Sequence, residues 1–291
     1  MKMCPAVLFA AFLLAVGDRA VDAQNPQPPQ PLKAEKIRDD LFVITGDGGN
    51  TTVYLTDEGV VLVDTKNDRN HDDLVATVKA LSDKPIRYVI NTHAHGDHTG
   101  GNQKLAGAVS IGHVNARAAM IKGNVPGPPS LTFTDQTTMF LGGKEVDLRY
   151  FGPCHTGGDT FVYFPADKVL TTGDCFNTGN GRGLNPTGST TPGLYADYAI
   201  NGSLLGFPNS ADASLKLDWD VVIPGHGPRT NRASFLKWRQ DVETIIDRVR
   251  SMTRAGRTKT DIEQVLIKEF GWEPTGNPIR SLDAVMAELK Q

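Results

Sequence analysis

Apolar and polar positions along the chain fall into short strand-like runs and longer helix-like stretches that alternate with one another. Residues 41–45 and 51–55 are rich in β-branched and aromatic side chains, as strands are, and the glycine-rich segment 46–50 between them reads as a hairpin turn. Residues 46–51 are a candidate substrate lid, with a plain turn as the alternative. Thr56-Asp57-Glu58-Gly59 makes a second turn, and 60–64 is an unbroken apolar run ended by Asp64, the pattern of a strand covered on both faces. Leu74, Val75, Val78 and Leu81 then recur at three- and four-residue spacing, which predicts a helix. Further strand-like runs end at Ile90, Ile111, Thr134, Leu141, Phe151, Gly173 and Gly225, and another helix is expected around 116–121. From Ala233 onward the period is helical: Phe235, Trp238, Val242, Ile245, Ile246 and Val249 mark one helix, Thr260 or Asp261 begins a second, and Ser281 to Leu289 holds a third. Alternating strands and helices predict an α/β sandwich, with the helical extension 232–291 packed on it. That extension is expected to fence one side of the pocket, with a dimer surface as the second possibility.

The chemistry gathers at the ends of these strands. His93, His95, Asp97 and His98 form an H-x-H-x-D-H cluster directly after the apolar run 87–90. His155 lies in the turn after the strand-like 145–151, Asp174 ends the run 169–173, and His226 ends 221–225. Five of the seven histidines belong to this set. Because each donor follows an apolar run, all of them can converge on one edge of a sandwich.

Imidazole and carboxylate donors without thiolate suit zinc, with iron or manganese tolerated. Seven donors are too many for one tetrahedral ion, whereas two ions about 3.5–4 Å apart can share a carboxylate. His93 and His95 alternate along an extended segment and can meet one ion together with His155. Asp97 and His98, at the start of the next helix, pair with His226 in a second set, and Asp174 stands between the two. Asp97 is also the candidate catalytic group, orienting the attacking hydroxide. Each ion keeps an open position, as catalytic sites do. Asp64 is a candidate to hydrogen-bond a ligand from behind, or else to cap the segment after it. His71, at a polar helix start, is expected to be solvated, and His113 to be structural.

In H-A-H-G-D-H, P-C-H-T-G-G-D, T-G-D and P-G-H-G, in that order, the chain resembles the metallo-β-lactamase-fold hydrolase superfamily over about 34–230. The resemblance implies an αββα sandwich of two mixed sheets with metals at one edge, and the same ligand roles. Members that hydrolyse β-lactams usually carry Cys or Ser where Asp174 stands, whereas a bridging Asp resembles glyoxalase II and lactonase-like members. The likeness implies a dinuclear zinc hydrolase whose metal-bridging hydroxide attacks an ester, lactone, thioester or β-lactam-type carbonyl. An iron-dependent oxidoreductase similar to persulfide dioxygenases, and a non-catalytic metal-binding protein of the cell envelope, are the alternatives.

Residues 1–23 read as a secretory signal peptide, with Lys2 before an apolar stretch and small residues at 21–23, so a periplasmic or secreted location without stable membrane insertion is expected. The proline-rich 24–33 reads as an extended linker, and 34–291 as one domain. A net charge of −3 and the lack of a basic stripe argue against nucleic acid and leave a small-molecule substrate. Cys154 and Cys175 each flank a proposed ligand and are expected behind the metal wall as a buried free pair, with a disulfide as the alternative. Residues 175–211 are the least patterned, and because they come directly after Asp174 they are expected to contact substrate, with Asn177 and Arg182 as candidates to orient a carboxylate or phosphate.

Overall fold

The computed structural model describes residues 30–178, 194–272, 274 and 277–290. One sheet runs in chain order through β1 (Lys33–Lys36), β2 (Leu41–Thr45), β3 (Thr51–Thr56), β4 (Gly59–Val63), β5 (Ile86–Asn91), β6 (Val109–His113) and β7 (Leu131–Phe133). The other holds β8 (Gln136–Leu141), β9 (Lys144–Arg149), β10 (Phe161–Phe164), β11 (Val169–Thr171), β12 (Val221–Ile223) and β13 (Thr230–Asn231), also in chain order. Both sheets are mixed: β4 to β7 are parallel in the first and β11 and β12 in the second, and the remaining pairs are antiparallel. The helices are α1 (His71–Leu81), α2 (Gly96–Thr99), α3 (Val114–Lys122), α4 (Gly206–Ser214), α5 (Arg232–Arg254), α6 (Lys259–Phe270), α7 (Asn277–Arg280) and α8 (Leu282–Leu289). The expected α/β sandwich is therefore the one observed.

Burial explains why each run took its place. In β4 every residue is buried, because the two faces serve different cores. Val61 and Val63 face the second sheet with Leu41, Val43, Tyr54 and Ile90, meeting Leu148, Val162, Phe164 and Ile223 across the sandwich. Val60 and Leu62 face outward, onto Leu74 and Val78 of α1. A third core covers the outer face of the second sheet: Phe161, Leu170 and Val222 pack under Phe207 of α4, Trp238, Val242 and Ile245 of α5, Leu266 of α6 and Val285 of α8. Each of these side chains is worth about 1.5–3 kcal/mol when taken fully out of water. The apolar stripe of α5 is thus buried within the chain.

Two boundaries and one helix differ from expectation for physical reasons. β1 begins at Lys33, so strand pairing with β2 claims the last residue of the segment read as linker over 24–33. The helix expected to start at Thr260 or Asp261 starts at Lys259, because Thr258 caps it and Asp261 returns a bond to the Thr258 amide, a reciprocal box with Asp261 at its third position. Helix α4 was not foreseen. Its buried positions Phe207, Ser210, Ala211 and Ser214 have helical spacing, but two are serine, so no apolar period shows.

His113 is structural, as expected, and its place makes a pH prediction. Its ring stacks on Tyr150 at 3.9 Å between centroids, Nε2 donates to the Thr134 carbonyl at 2.7 Å, and Nδ1 accepts from the Asn115 amide as the cap of α3. Protonation would leave Nδ1 without its lone pair, and burial lowers this imidazole from the ordinary 6.5. A lowered histidine contributes stability in full above that value and loses it as pH falls below it. Denaturant titrations from pH 7.5 to 5 should show falling stability, with the slope reduced in His113→Gln. His71 begins α1 and is half-buried, with its Nδ1 buried and without a hydrogen-bond partner.

The parallel strands of both sheets end at the same rim. There β4 and β5 of one sheet, and β11 and β12 of the other, hand over to the loops that carry the site.

Candidate metal centre

Each candidate donor is placed by a strand end. Residues 92–95 follow directly on β5, and Asp97 and His98 lie in the short α2, where His95 stands at the N-cap position without a side-chain capping bond. His155 comes from the loop after β9, Asp174 from the single turn after β11, and His226 from the loop after β12. The loops bring together three groups whose ligand atoms lie within 4.8 Å of one another: His93, His95 and His155; His93, His98 and Asp174; and Asp97, His98 and His226. These are the two sets expected from the sequence, joined by Asp174.

The distances show how Asp174 joins them. His95 Nδ1 lies 2.9 Å from His155 Nε2, and His98 Nε2 lies 3.2 Å from His226 Nε2. Asp174 Oδ1 is 3.2 Å from His98 Nε2, while its Oδ2 is 3.6 Å from His155 Nε2 and 3.4 Å from His226 Nε2. Asp97 Oδ2 is 3.3 Å from His226 Nε2. Ligand atoms about 2.0–2.2 Å from one tetrahedral ion stand roughly 3.3–3.6 Å apart, so the Asp97 and Asp174 contacts with His226 and His155 match that spacing and the other pairs are a few tenths of an ångström tighter.

The hydrogen bonds behind the rings fix which nitrogen points inward. The Thr92 hydroxyl has one proton, and at 2.6 Å it goes to Asp64 Oδ2. Its 3.0 Å contact with His93 Nδ1 therefore requires the ring to donate, which leaves the lone pair on His93 Nε2. That nitrogen is buried and has no partner at all. A buried lone pair left unpaired costs about 1–3 kcal/mol unless something accepts it. His98 Nδ1 donates to Asp64 Oδ2 at 2.7 Å, His155 Nδ1 to the Tyr195 carbonyl at 2.7 Å, and His95 Nε2 to Asp197 Oδ2 at 3.0 Å. Four imidazoles thus have one ring nitrogen held from behind, the arrangement that aligns histidine ligands. The donor set fits a metal ion.

Charge sorts the same residues. Burial lowers His93 well below 6.5 and His155 to about 4, so both are neutral ligands at pH 7. Burial also works against charge on His98 and His226, but Asp174, aided by Asp64 and Asp97 at His98 and by Asp97 at His226, outweighs it. His98 rises well above its ordinary value and His226 to about 9. Asp174 and Asp97 stay ionised although burial resists it, because His98 and His226 hold them low. Without a metal this half of the site pairs two imidazolium rings with two carboxylates, so a cation that binds here displaces the inward protons of His98 and His226. Asp97 and His95 side chains are 27 % exposed, so the mouth opens on their side, while His93 and His98 form the floor.

Asp64 hydrogen-bonds a candidate ligand from behind. It is buried, accepts from His98, from the Thr92 hydroxyl and from the Thr92 amide at 2.8 Å, and holds a left-handed φ of 65°. The 46–51 lid candidate is fastened in place. Gly49 N donates to Asp97 O, Asn50 N to Gly225 O, the Asn50 side-chain amide to Pro224 O and Gly227 O, and the buried Lys66 ammonium to Gly49 O at 2.7 Å. Burial brings that amine down to about 8, against the pull of Asp47, Asp64 and Asp97. A Cβ on Gly49 would overlap the His98 ring, and one on Gly225 would overlap Asp174 Oδ1. Gly225→Ala should therefore displace Asp174 and lower metal affinity at least about 10-fold, read by chelator competition.

Asn177, expected to meet substrate, has its carbonyl accepting from the His226 amide at 2.7 Å, so it positions that loop. Arg182 lies outside the described residues. Three contributors were missed. Thr92 has no signal beyond preceding His93. Asp197 sits in an unpatterned stretch. Asp159, inside P-C-H-T-G-G-D, fastens the His155 turn by accepting from Cys154 N, Thr156 N and Thr156 Oγ1. Cys154 and Cys175 are free and buried, as expected, and their sulfurs group with Asp159 behind the wall. Burial pushes the Cys154 thiol up to about 11 and Cys175 well above its usual value. Both should resist iodoacetamide in the native protein and react in denaturant, which peptide mass spectrometry reads.

Comparison with known proteins agrees with this geometry. The sequence profile of the metallo-beta-lactamase superfamily matches residues 44–226, a span that contains all seven donors. The alpha subunit of 2,4-dinitroanisole O-demethylase from Nocardioides sp. (strain JS1661) is 27% identical over 278 residues, 90% of this chain and 78% of that one. A type 2 metallo-beta-lactamase from Elizabethkingia meningoseptica is 28% identical over 185 residues, 60% of this chain and 74% of that one. In fold, a metallo-beta-lactamase from Pontibacter korlensis superposes with a TM-score of 0.62 at 22% identity, covering 73% of this chain and 99% of the other. With two mixed sheets, five imidazoles and two carboxylates on one rim, and the profile spanning them, this chain belongs to the metallo-beta-lactamase superfamily of metal-dependent hydrolytic enzymes.

Proposed function

We propose that the protein is a dinuclear zinc hydrolase, exported to the periplasm or beyond, that cleaves an ester, lactone, thioester or β-lactam-type carbonyl of a small molecule. The observation that carries this is the set of inward lone pairs, with the orphaned Nε2 of His93 at its centre and Asp174 reaching both groups. His93, His95 and His155 would hold one ion, Asp97, His98 and His226 the other, and Asp174 both. When bound, such ions supply Lewis acidity toward a carbonyl oxygen and a water acidic enough to attack near neutral pH.

The chain's own residues do the rest. Asp97, ionised and partly open at the mouth, would accept a hydrogen bond from the attacking water and so aim it. Asp64, Asp197 and the Tyr195 carbonyl keep three imidazoles from rotating. No serine or cysteine nucleophile is needed, and the two thiols behind the wall are protonated and turned to the core. An aspartate at position 174 supports a likeness to glyoxalase II and lactonase-like members over true β-lactamases. Export is supported by the leader-like residues 1–23. Among the described residues no helix is long and apolar enough to cross a membrane.

The test is elemental analysis of purified protein joined to a substrate screen of chromogenic esters, lactones, thioesters and β-lactams with added zinc, with 2,4-dinitroanisole included because a relative is named for it. Zinc together with hydrolysis that Asp174→Ala removes is expected. Donors of nitrogen and oxygen also accept iron. Iron with oxygen uptake and no hydrolysis would replace this reading by an oxidoreductase one.

A further inference from the structure

The helical extension reaches the metal centre through one side chain. Glu288, half-buried in the last turn of α8, accepts from the Tyr198 hydroxyl at 2.6 Å, from the Ser203 hydroxyl and from the Leu204 amide at 3.0 Å. These three donors come from one segment, 195–204, that forms the back of the site. Within it the Tyr195 carbonyl takes the His155 Nδ1 proton and the Asp197 carboxylate takes the His95 Nε2 proton. The same segment is stitched to the His155 loop by Asp197 N to His155 O, Gly157 N to Ile200 O and Ser203 N to Cys154 O, all between 2.7 and 2.8 Å. Tyr198 and Leu204 also pack in the apolar core that the segment shares with the second sheet and the extension.

Apolar packing sets how far the segment stands from α8 but does not fix its slide along the helix, since dispersion has little directionality. Three hydrogen bonds converging on one carboxylate do fix it, and bonds to a charged acceptor are among the stronger ones. Along the chain, Tyr198 is one residue from Asp197, and Ser203, itself a donor to Glu288 and next to Leu204, bonds back to the Cys154 carbonyl, beside His155. A shift of the segment at Glu288 is therefore passed to the two acceptors that orient His95 and His155.

We propose that Glu288 is a positioning residue of the metal centre, setting the orientation of His95 and His155 through the 195–204 segment, so that the C-terminal extension is a working part of the site. This rests on the reading that His93, His95 and His155 hold a metal ion. Helix α8 is otherwise tied to its neighbours at the surface, by Asp283 to Lys259, a contact that serves as a control because it touches nothing in the segment.

The probe is cobalt(II) titrated into the full chain stripped of metal, with the visible ligand-field spectrum reporting ligand geometry and chelator competition reporting affinity, alongside thermal melting. Glu288→Gln keeps the shape but places an NH2 against donors. It is expected to melt close to wild type, to weaken one of two cobalt affinities about 10-fold while sparing the other, and to alter the spectrum. Lys259→Ala, which loosens the same helix elsewhere, should leave both affinities and the spectrum as they are. A folded Glu288→Gln protein with wild-type affinities and spectrum overturns the proposal. Should that variant not fold, Tyr198→Phe decides, since it removes a single hydroxyl: a changed spectrum supports the proposal and an unchanged one overturns it. Wild-type protein that binds no cobalt would instead sink the metal reading itself, and the role of Glu288 with it.

Discussion

Asp174→Ala is expected to reduce hydrolytic turnover on the order of 10³-fold, equal to roughly 4 kcal/mol of lost transition-state stabilisation, and to drop bound metal from two ions to one or none. The reason is geometric. Among the described residues, Asp174 alone of the carboxylates stands within 3.6 Å of imidazoles from both groups. Without it the two cations have no shared ligand and repel each other with little between them. Its charge also balances His98 and His226 in a buried place, where an unpaired charge is costly. Asp174→Asn separates the two effects. It fills the same space and should fold well, yet it lacks the charge, so metal loss and low turnover in a protein of near-normal melting temperature would locate the defect at the ions. Turnover within about 10-fold of wild type in the alanine variant would show that the carboxylate is not shared.

The second large effect belongs to Asp64, which touches no substrate. Asp64→Ala removes one acceptor from three buried donors: the Thr92 amide, the Thr92 hydroxyl and His98 Nδ1. Each donor left without a partner costs about 1–3 kcal/mol, and alanine at a φ of 65° adds about 1–2 kcal/mol more. These costs are not additive, so a loss of about 3–5 kcal/mol of folding stability is expected in urea titrations, enough to lower the melting temperature by many degrees. Function suffers separately. With the Thr92 hydroxyl and the His98 ring free to turn, the inward lone pairs are no longer fixed, and metal affinity should fall about 10–100-fold. Asp64→Asn retains one carbonyl oxygen and should recover part of the stability but little of the affinity, because its NH2 faces a donor. Equal loss of stability and no change in affinity would make Asp64 a structural residue only.

How far the sequence reveals this site depends on what each residue's role requires of the chain. The seven donors were legible because metal ligation needs particular side chains at strand ends, and strand ends show as breaks after apolar runs. The exposed or buried state of β4 was legible too, since a strand with a core on each face has no polar alternation. Helix α4 was not, because Ser210 and Ser214 occupy buried positions that apolar residues usually hold. Nor were the groups that hold the imidazoles from behind. Thr92 works through one hydroxyl proton, Tyr195 through a backbone carbonyl that any residue could supply, and Asp197 lies 102 positions from the histidine it touches. Such partners are chosen by the fold, and nothing local marks them. Asn177 shows a role the sequence does not mark: expected as a substrate contact, it also holds the His226 amide through its side-chain carbonyl.

Anomalous diffraction at the zinc edge, from crystals grown with zinc, tests the central claim most directly. Two peaks about 3.5–4 Å apart are expected, one within bonding distance of His93, His95 and His155, the other of Asp97, His98 and His226, with Asp174 reaching both. A single peak away from Asp174, or no peak at this rim from protein that has bound zinc, would contradict the account.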